Sequence, residues 1–249
     1  MYASINGLRM YYEIHGPPGG DRVPLLLLHG GGSTIETSFG KLLPLLSQGR
    51  ALVAFEQQGH GRTADVDRPF SFEQSAADAV ALLRYLKVPR ADLFGYSNGG
   101  HIALQIALDH PEVVRKLILE SMMYSREGAA AEFWQGFDHA TLADMPEELK
   151  EAYRQTAPHP ENLPGFFDKS VARMRGFVGW TQAQIRSVKA PTLLVMGDRD
   201  VVTVEHAAGM QQLLPDARLA VLPAADHMEI VRRSRQVAEL VEDFLGSSR

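Results

Sequence analysis

Five residues near the middle of the chain, Gly95-Tyr96-Ser97-Asn98-Gly99, hold a serine between glycines in the G-x-S-x-G pattern. A serine hydroxyl is a poor nucleophile at neutral pH, so chemistry on it requires a base and an acid that orients the base. Of the nine histidines, His227 is the best placed, in the loop Pro223-Ala-Ala-Asp-His227 that leaves an apolar run. For the acid, Gly197-Asp198-Arg199-Asp200 leaves another such run, and Asp200 is preferred. Asp198 suits turn-making, Asp226 beside the base points elsewhere, and Glu120 is the reserve. Attack on a carbonyl creates an oxyanion, which calls for two preorganised N–H donors. The backbone of Asn98 supplies one, and the glycine loop His29-Gly30-Gly31-Gly32 the other. The residues therefore point to acyl transfer through Ser97. The plainer reading of Ser97, an ordinary helix N-cap, leaves the histidine and aspartate unexplained.

These side chains meet only if particular elements carry them to one place. Val23–Leu28, Ala51–Phe55, Ala91–Phe94, Leu117–Leu119 and Thr192–Met196 are apolar without alternation, as strands buried on both faces must be. Ala217–Leu222 is a weaker sixth, and Leu8–His15 reads as an antiparallel edge strand paired with Ala3–Asn6 across Gly7. Between them lie helices. Ser71-Phe-Glu-Gln74 reads as a capping box followed by an apolar stripe, and Gly99–His110, Thr203–Leu214 and Met228–Leu245 are the others. The alternation predicts an α/β chain with a doubly wound, mostly parallel sheet, in which loops at the carboxyl ends of the strands converge. Between Tyr124 and Lys189 the rhythm breaks into aromatic- and proline-rich helical sequence. A core formed by residues 1–123 and 190–249, with a helical lid at 124–189, is the expected organisation. Gly30, Phe133, Trp134, Phe137 and Met228 are the expected pocket residues.

Composition narrows the function. Thirty acidic against 25 basic residues give a net charge of −5, unlike a dedicated nucleic-acid or anionic-membrane binder. Cysteine is absent, which removes disulfides, thiol nucleophiles and cysteine metal sites. The glycine loop lacks the P-loop and G-x-G-x-x-G patterns, so no nucleotide site is expected. No apolar run approaches the roughly 20 residues of a membrane span, and the N-terminus has no signal-peptide pattern. A cytoplasmic protein, monomeric or homodimeric, acting on a small molecule and without nucleic-acid or membrane partners, is the expectation.

The order Ser97, Asp200, His227, with the glycine loop and the segment Glu56-Gln-Gln-Gly-His-Gly61, resembles the α/β-hydrolase fold superfamily from Gly7 to Leu245. Its capped esterases and enol-lactonases are the most similar. The resemblance implies an eight-stranded sheet with an antiparallel second strand, a helical cap after the sixth strand, no cofactor and no metal. It makes Gly31 the second oxyanion donor and gives His60 and Gly61 a structural role. Two positions depart from the pattern: Asn98 stands where Met or Gln is commoner, and Glu56-Gln57-Gln58 replaces Asp-x-Arg. Hydrolysis of a carboxylic ester or lactone is the resulting expectation. Carbon–carbon bond hydrolysis, cofactor-free perhydrolysis and a ligand receptor with negligible turnover are the alternatives, since all can use the same residues.

Overall fold

The computed structural model describes residues 1–17 and 22–247. Eight strands form one sheet: β1 Tyr2–Ile5, β2 Leu8–His15, β3 Leu25–Leu28, β4 Leu52–Phe55, β5 Ala91–Tyr96, β6 Val114–Glu120, β7 Thr192–Gly197 and β8 Ala217–Leu222. Their order across the sheet is β1-β2-β4-β3-β5-β6-β7-β8. β2 runs antiparallel to both neighbours, and from β4 to β8 all pairs are parallel. The winding reverses around β3. The chain passes from β3 to β4 on one side, then crosses back to place β5 on the other, and a crevice opens where the loops after β3 and β5 part.

Several strand limits differ from the sequence reading by one to three residues, and at β3 and β6 the reason is local. β3 starts at Leu25, because Pro24 has no N–H to give the ladder and serves only through its carbonyl, which accepts from Asp92 N. β6 extends back to Val114 although Arg115 and Lys116 interrupt its apolar run. Arg115 pairs with the buried Asp92, and Lys116 Nζ reaches the Phe244 carbonyl at 2.7 Å. The strand thus carries two cations because each has a partner.

Helices cover both faces: α1 Ile35–Phe39, α2 Leu43–Leu46, α3 Phe72–Tyr85, α4 Asn98–Asp109, α5 Ala131–His139, α6 Glu147–Thr156, α7 Leu163–Arg175, α8 Gln182–Arg186, α9 Val204–Leu213 and α10 Ser234–Gly246. One apolar cluster packs α3, α4 and α9 on one face of the sheet, and a second packs α1, α2 and α10 on the other. The last helix starts at Ser234 rather than Met228. Asp226 Oδ1 accepts from both Met228 N and Glu229 N, and a 3₁₀ turn over Ile230–Arg232 follows before the α-helix can begin. At α3, Ser71 caps Gln74 N at 3.0 Å, but the Gln74 amide turns to Asp78, so the expected box stays half closed. Helices α5 to α8 all lie between β6 and β7. α7 was hidden in the sequence by Pro164, which sits in its first turn, where no N–H is needed. Phe70, Met145, Leu149, Tyr153, Leu163 and Phe166 form a third apolar cluster, joining this insertion to the loop before α3.

Candidate active site

The turn from β5 into α4 has one sharply constrained residue. Ser97 takes φ 53 and ψ −120, a left-handed conformation rare for a side chain with a Cβ. The helix begins at the next residue, so strand and helix nearly touch. A Cβ on Gly95 would overlap the Gly99 carbonyl, and one on Gly99 would overlap the Leu28 carbonyl of β3. Glycine is required at both. Ser97 makes no side-chain cap to α4; its Oγ donates to His227 Nε2 at 3.0 Å. His227 Nδ1 in turn donates to Asp200 Oδ1 at 2.8 Å.

Asp200 is held from two further sides. Ser121 Oγ donates to its Oδ2 at 2.5 Å and Val202 N to its Oδ1 at 3.3 Å. Burial alone would raise its pKa. The hydrogen bond and charge of His227, with the donors from Ser121 and Val202, outweigh that and hold the carboxyl below the usual aspartate range. Ser121 had no signal in the sequence beyond standing after a strand. Glu120, the reserve acid, is buried beside this group with Oε1 unpartnered, and burial followed by the charge of Asp200 pushes it up to about 8. His227 is fixed from behind as well, since Tyr96 Oη donates to its carbonyl at 2.6 Å.

The glycine loop after β3 faces this group. Gly31, Gly32, Ser97, Asn98 and His227 share the wall of a largely apolar cleft of about 720 Å³. The loop is braced by buried imidazoles. His29 Nδ1 donates to the Gly30 carbonyl at 2.8 Å while its Nε2 accepts from Gln57 N at 3.1 Å, and His60 Nε2 accepts from Gly32 N at 3.3 Å. Burial pushes the His29 imidazole down to about 4, and His60 falls for the same reason, so both stay neutral. In the segment that departs from Asp-x-Arg, buried Glu56 collects Arg62 N at 2.5 Å and Arg62 Nη1 at 2.9 Å, and Gln57 donates to the His29 carbonyl at 2.8 Å.

Of the expected pocket residues, Phe133, Phe137 and Met228 line the cleft. Trp134 does not. It points into the insertion, stacks on Phe177, and donates Nε1 to the Arg126 carbonyl at 2.8 Å, because α5 turns successive aromatics to different sides. Gly30 is outside the cleft wall too, closed off by the Tyr96 ring, 2.9 Å from where its Cβ would stand. His139, Met145, Phe166, Phe167 and Met174 are among the further insertion residues that line it, and no pattern in the sequence separates them from packing residues. Among the described residues no group of three or more His, Asp or Glu is arranged to hold a metal ion, and no helix is long and apolar enough to cross a membrane.

The profile of the alpha/beta hydrolase family matches residues 25–240. The chain is 29% identical to mouse (Mus musculus) serine hydrolase BPHL over 97% of its own length and 84% of that protein. It is 26% identical to 2-hydroxymuconate semialdehyde hydrolase of Pseudomonas sp. strain CF600, over 90% of this chain and 87% of that one. Among solved structures, Est816, described as an N-acyl homoserine lactone degrading enzyme, superposes with TM-score 0.81 at 25% identity, covering 98% of this chain and 100% of that one.

Proposed function

The chain belongs to the alpha/beta hydrolase family, and we propose that its reaction is hydrolysis of a carboxylic ester or lactone through an acyl-enzyme on Ser97. The observation that carries this reading is the unbroken chain from Asp200 through His227 to Ser97, at 2.8 and 3.0 Å, opening on an apolar cleft. His227 Nε2 takes the Ser97 proton as Oγ bonds to the acyl carbon, and the carbonyl electron pair moves onto oxygen. The N–H groups of Asn98 and Gly31 hold that oxyanion. Collapse breaks the bond to the alkoxide, which leaves with the proton from His227. Water then attacks the acyl-enzyme, its proton passing to His227, and Ser97 is released with the product acid. Asp200 keeps His227 in the tautomer with Nδ1 protonated and stabilises the imidazolium.

The test is steady-state turnover of p-nitrophenyl esters from acetate to decanoate, with Ser97→Ala beside the wild type. Multiple turnovers that vanish in the variant are expected, and an optimum in chain length would report the depth of the cleft. No serine-dependent turnover on any ester or lactone would remove this reading. A second reading is favoured by the likeness to the 2-hydroxymuconate semialdehyde hydrolase: the same three residues acting on a carbon–carbon bond next to a carbonyl. Turnover of a ring-cleavage dienoate well above that of every ester would decide for it.

A further inference from the structure

Arg173, on α7, is 7% exposed and has no carboxylate partner among the described residues. Its Nε and Nη2 are buried without any hydrogen bond, and Nη1 makes one long contact, 3.4 Å to Gln57 Oε1. The cation lies over the faces of Phe70 and Phe72, at 5.6 and 5.2 Å from their centroids. Burial lowers its pKa only to about 10, so it stays charged at neutral pH. The three imidazoles that feel this charge, His29, His60 and His101, are themselves neutral. Burial is the main cause in each, with the Arg173 charge adding to it. A buried guanidinium without a counter-ion is costly and is rarely kept without a use.

Its position gives it one. Arg173 Nη2 lies 3.6 Å from the point where a Cβ on Gly31 would stand, and the Asn98 side-chain amide crowds that same point. Gly31 and Asn98 line the catalytic cleft, whereas Arg173 lines a separate cavity of about 320 Å³ with Phe70, Phe72 and Phe177 and reaches the back of Gly31 from there. The buried carboxylate of Asp200 stands behind His227, on the far side of the imidazole from Ser97. When Ser97 attacks, negative charge grows on the acyl oxygen and positive charge on the imidazole. The fixed charges therefore flank the developing pair with a cation behind the anion and an anion behind the cation. A carboxylate partner for Arg173 would cancel this field.

We propose that Arg173 is a positioning residue of the oxyanion hole, whose unpaired guanidinium stabilises the anionic intermediate through the Gly31–Asn98 wall without touching the substrate. This rests on the serine-hydrolase reading. Fixed charges in a water-excluded site act strongly because nothing has to reorganise as the reaction proceeds. Removal of one direct oxyanion donor costs about 10²–10³ in rate, and a charge one layer further back is expected to cost on the order of 10–100-fold.

The experiment measures phosphonylation of Ser97 by a neutral fluorophosphonate, which needs no knowledge of the substrate. The Ser97 Oγ–P bond forms, P–F breaks, fluoride leaves, and the serine proton goes to His227 while the phosphoryl oxygen gains charge in the hole. Arg173→Met is expected to lower the maximal labelling rate 10–100-fold and to move the half-saturating concentration less than about threefold. Arg173→Lys, which restores the charge and not the guanidinium stacking, is expected to recover most of the loss. Melting temperatures of both variants are read alongside. Equal labelling rates in wild type and Arg173→Met would overturn the proposal alone, as would equal losses in the Met and Lys variants with matching falls in melting temperature. A loss confined to half-saturation, or to turnover of carboxylate-bearing esters, would make Arg173 a substrate-binding residue instead. No labelling of Ser97 in the wild type would remove the serine-hydrolase reading and this inference with it.

Discussion

Asp200 is buried and still ionised, because every oxygen facing the protein is met by a donor. Asp200→Asn keeps the size of the side chain and removes its preference for one histidine tautomer. A fall in kcat of about 10⁴ is expected with the fold retained, read by ester turnover and a melting curve side by side. Glu120 is the opposite case. Its usual value of 4.5 rises to about 8 through burial and then through the Asp200 charge, so the folded chain keeps a proton that the unfolded chain has lost. Between about 4.5 and about 8 the unfolded state therefore binds fewer protons, and stability falls as pH rises through that window. Glu120→Gln carries no such charge. Its melting temperature is expected to exceed that of the wild type most at and above pH 8, with a flatter decline across the window. Parallel curves for the two proteins would show that Glu120 is ionised in the folded state.

The β5–α4 turn stores strain at Ser97, the proposed nucleophile. A non-glycine residue at φ 53, ψ −120 costs on the order of 1–3 kcal/mol, held in place by packing of α4 on β3 and β5. Ser97→Ala loses the hydroxyl and keeps the strain; Ser97→Gly loses both. The glycine variant is therefore expected to melt about 2–12 °C above the alanine variant, with both expected to be inactive. Gly99→Ala acts in the other direction, since its methyl group would drive α4 away from the Leu28 carbonyl. Overpacking of this kind costs roughly 1–3 kcal/mol, and it should lower the Ser97 labelling rate as well, because the elbow moves with the helix.

The insertion between β6 and β7 lines one side of the cleft, and its hold on the core is partly polar. Lys169 on α7 reaches Asp65 at 2.6 Å and the Val66 and Arg68 carbonyls at 3.0 and 3.1 Å. Lys169→Met is expected to leave the sheet intact and raise limited proteolysis within residues 124–189 several-fold, since hydrogen bonds to a charged group contribute about 1.5–3 kcal/mol. An unchanged cleavage rate would mean that the apolar cluster around Phe166 and Tyr153 holds α7 alone. Across the whole chain, the amino-acid sequence by itself determined the buried strands, the elbow, and the order of serine, aspartate and histidine. Those depend on local pattern: unbroken apolar runs, glycines where backbones touch, and polar residues just after strands. It did not determine which insertion residues face the cleft, since Phe133 lines it and adjacent Trp134 is turned away. Nor could it reveal Ser121 beside Asp200 or the buried Arg173 next to Gly31. Helix rotation and contacts across 79 residues, in the case of Ser121 and Asp200, are set by how the insertion and the sheet pack. Burial and pairing of a charge exist only once distant segments have met.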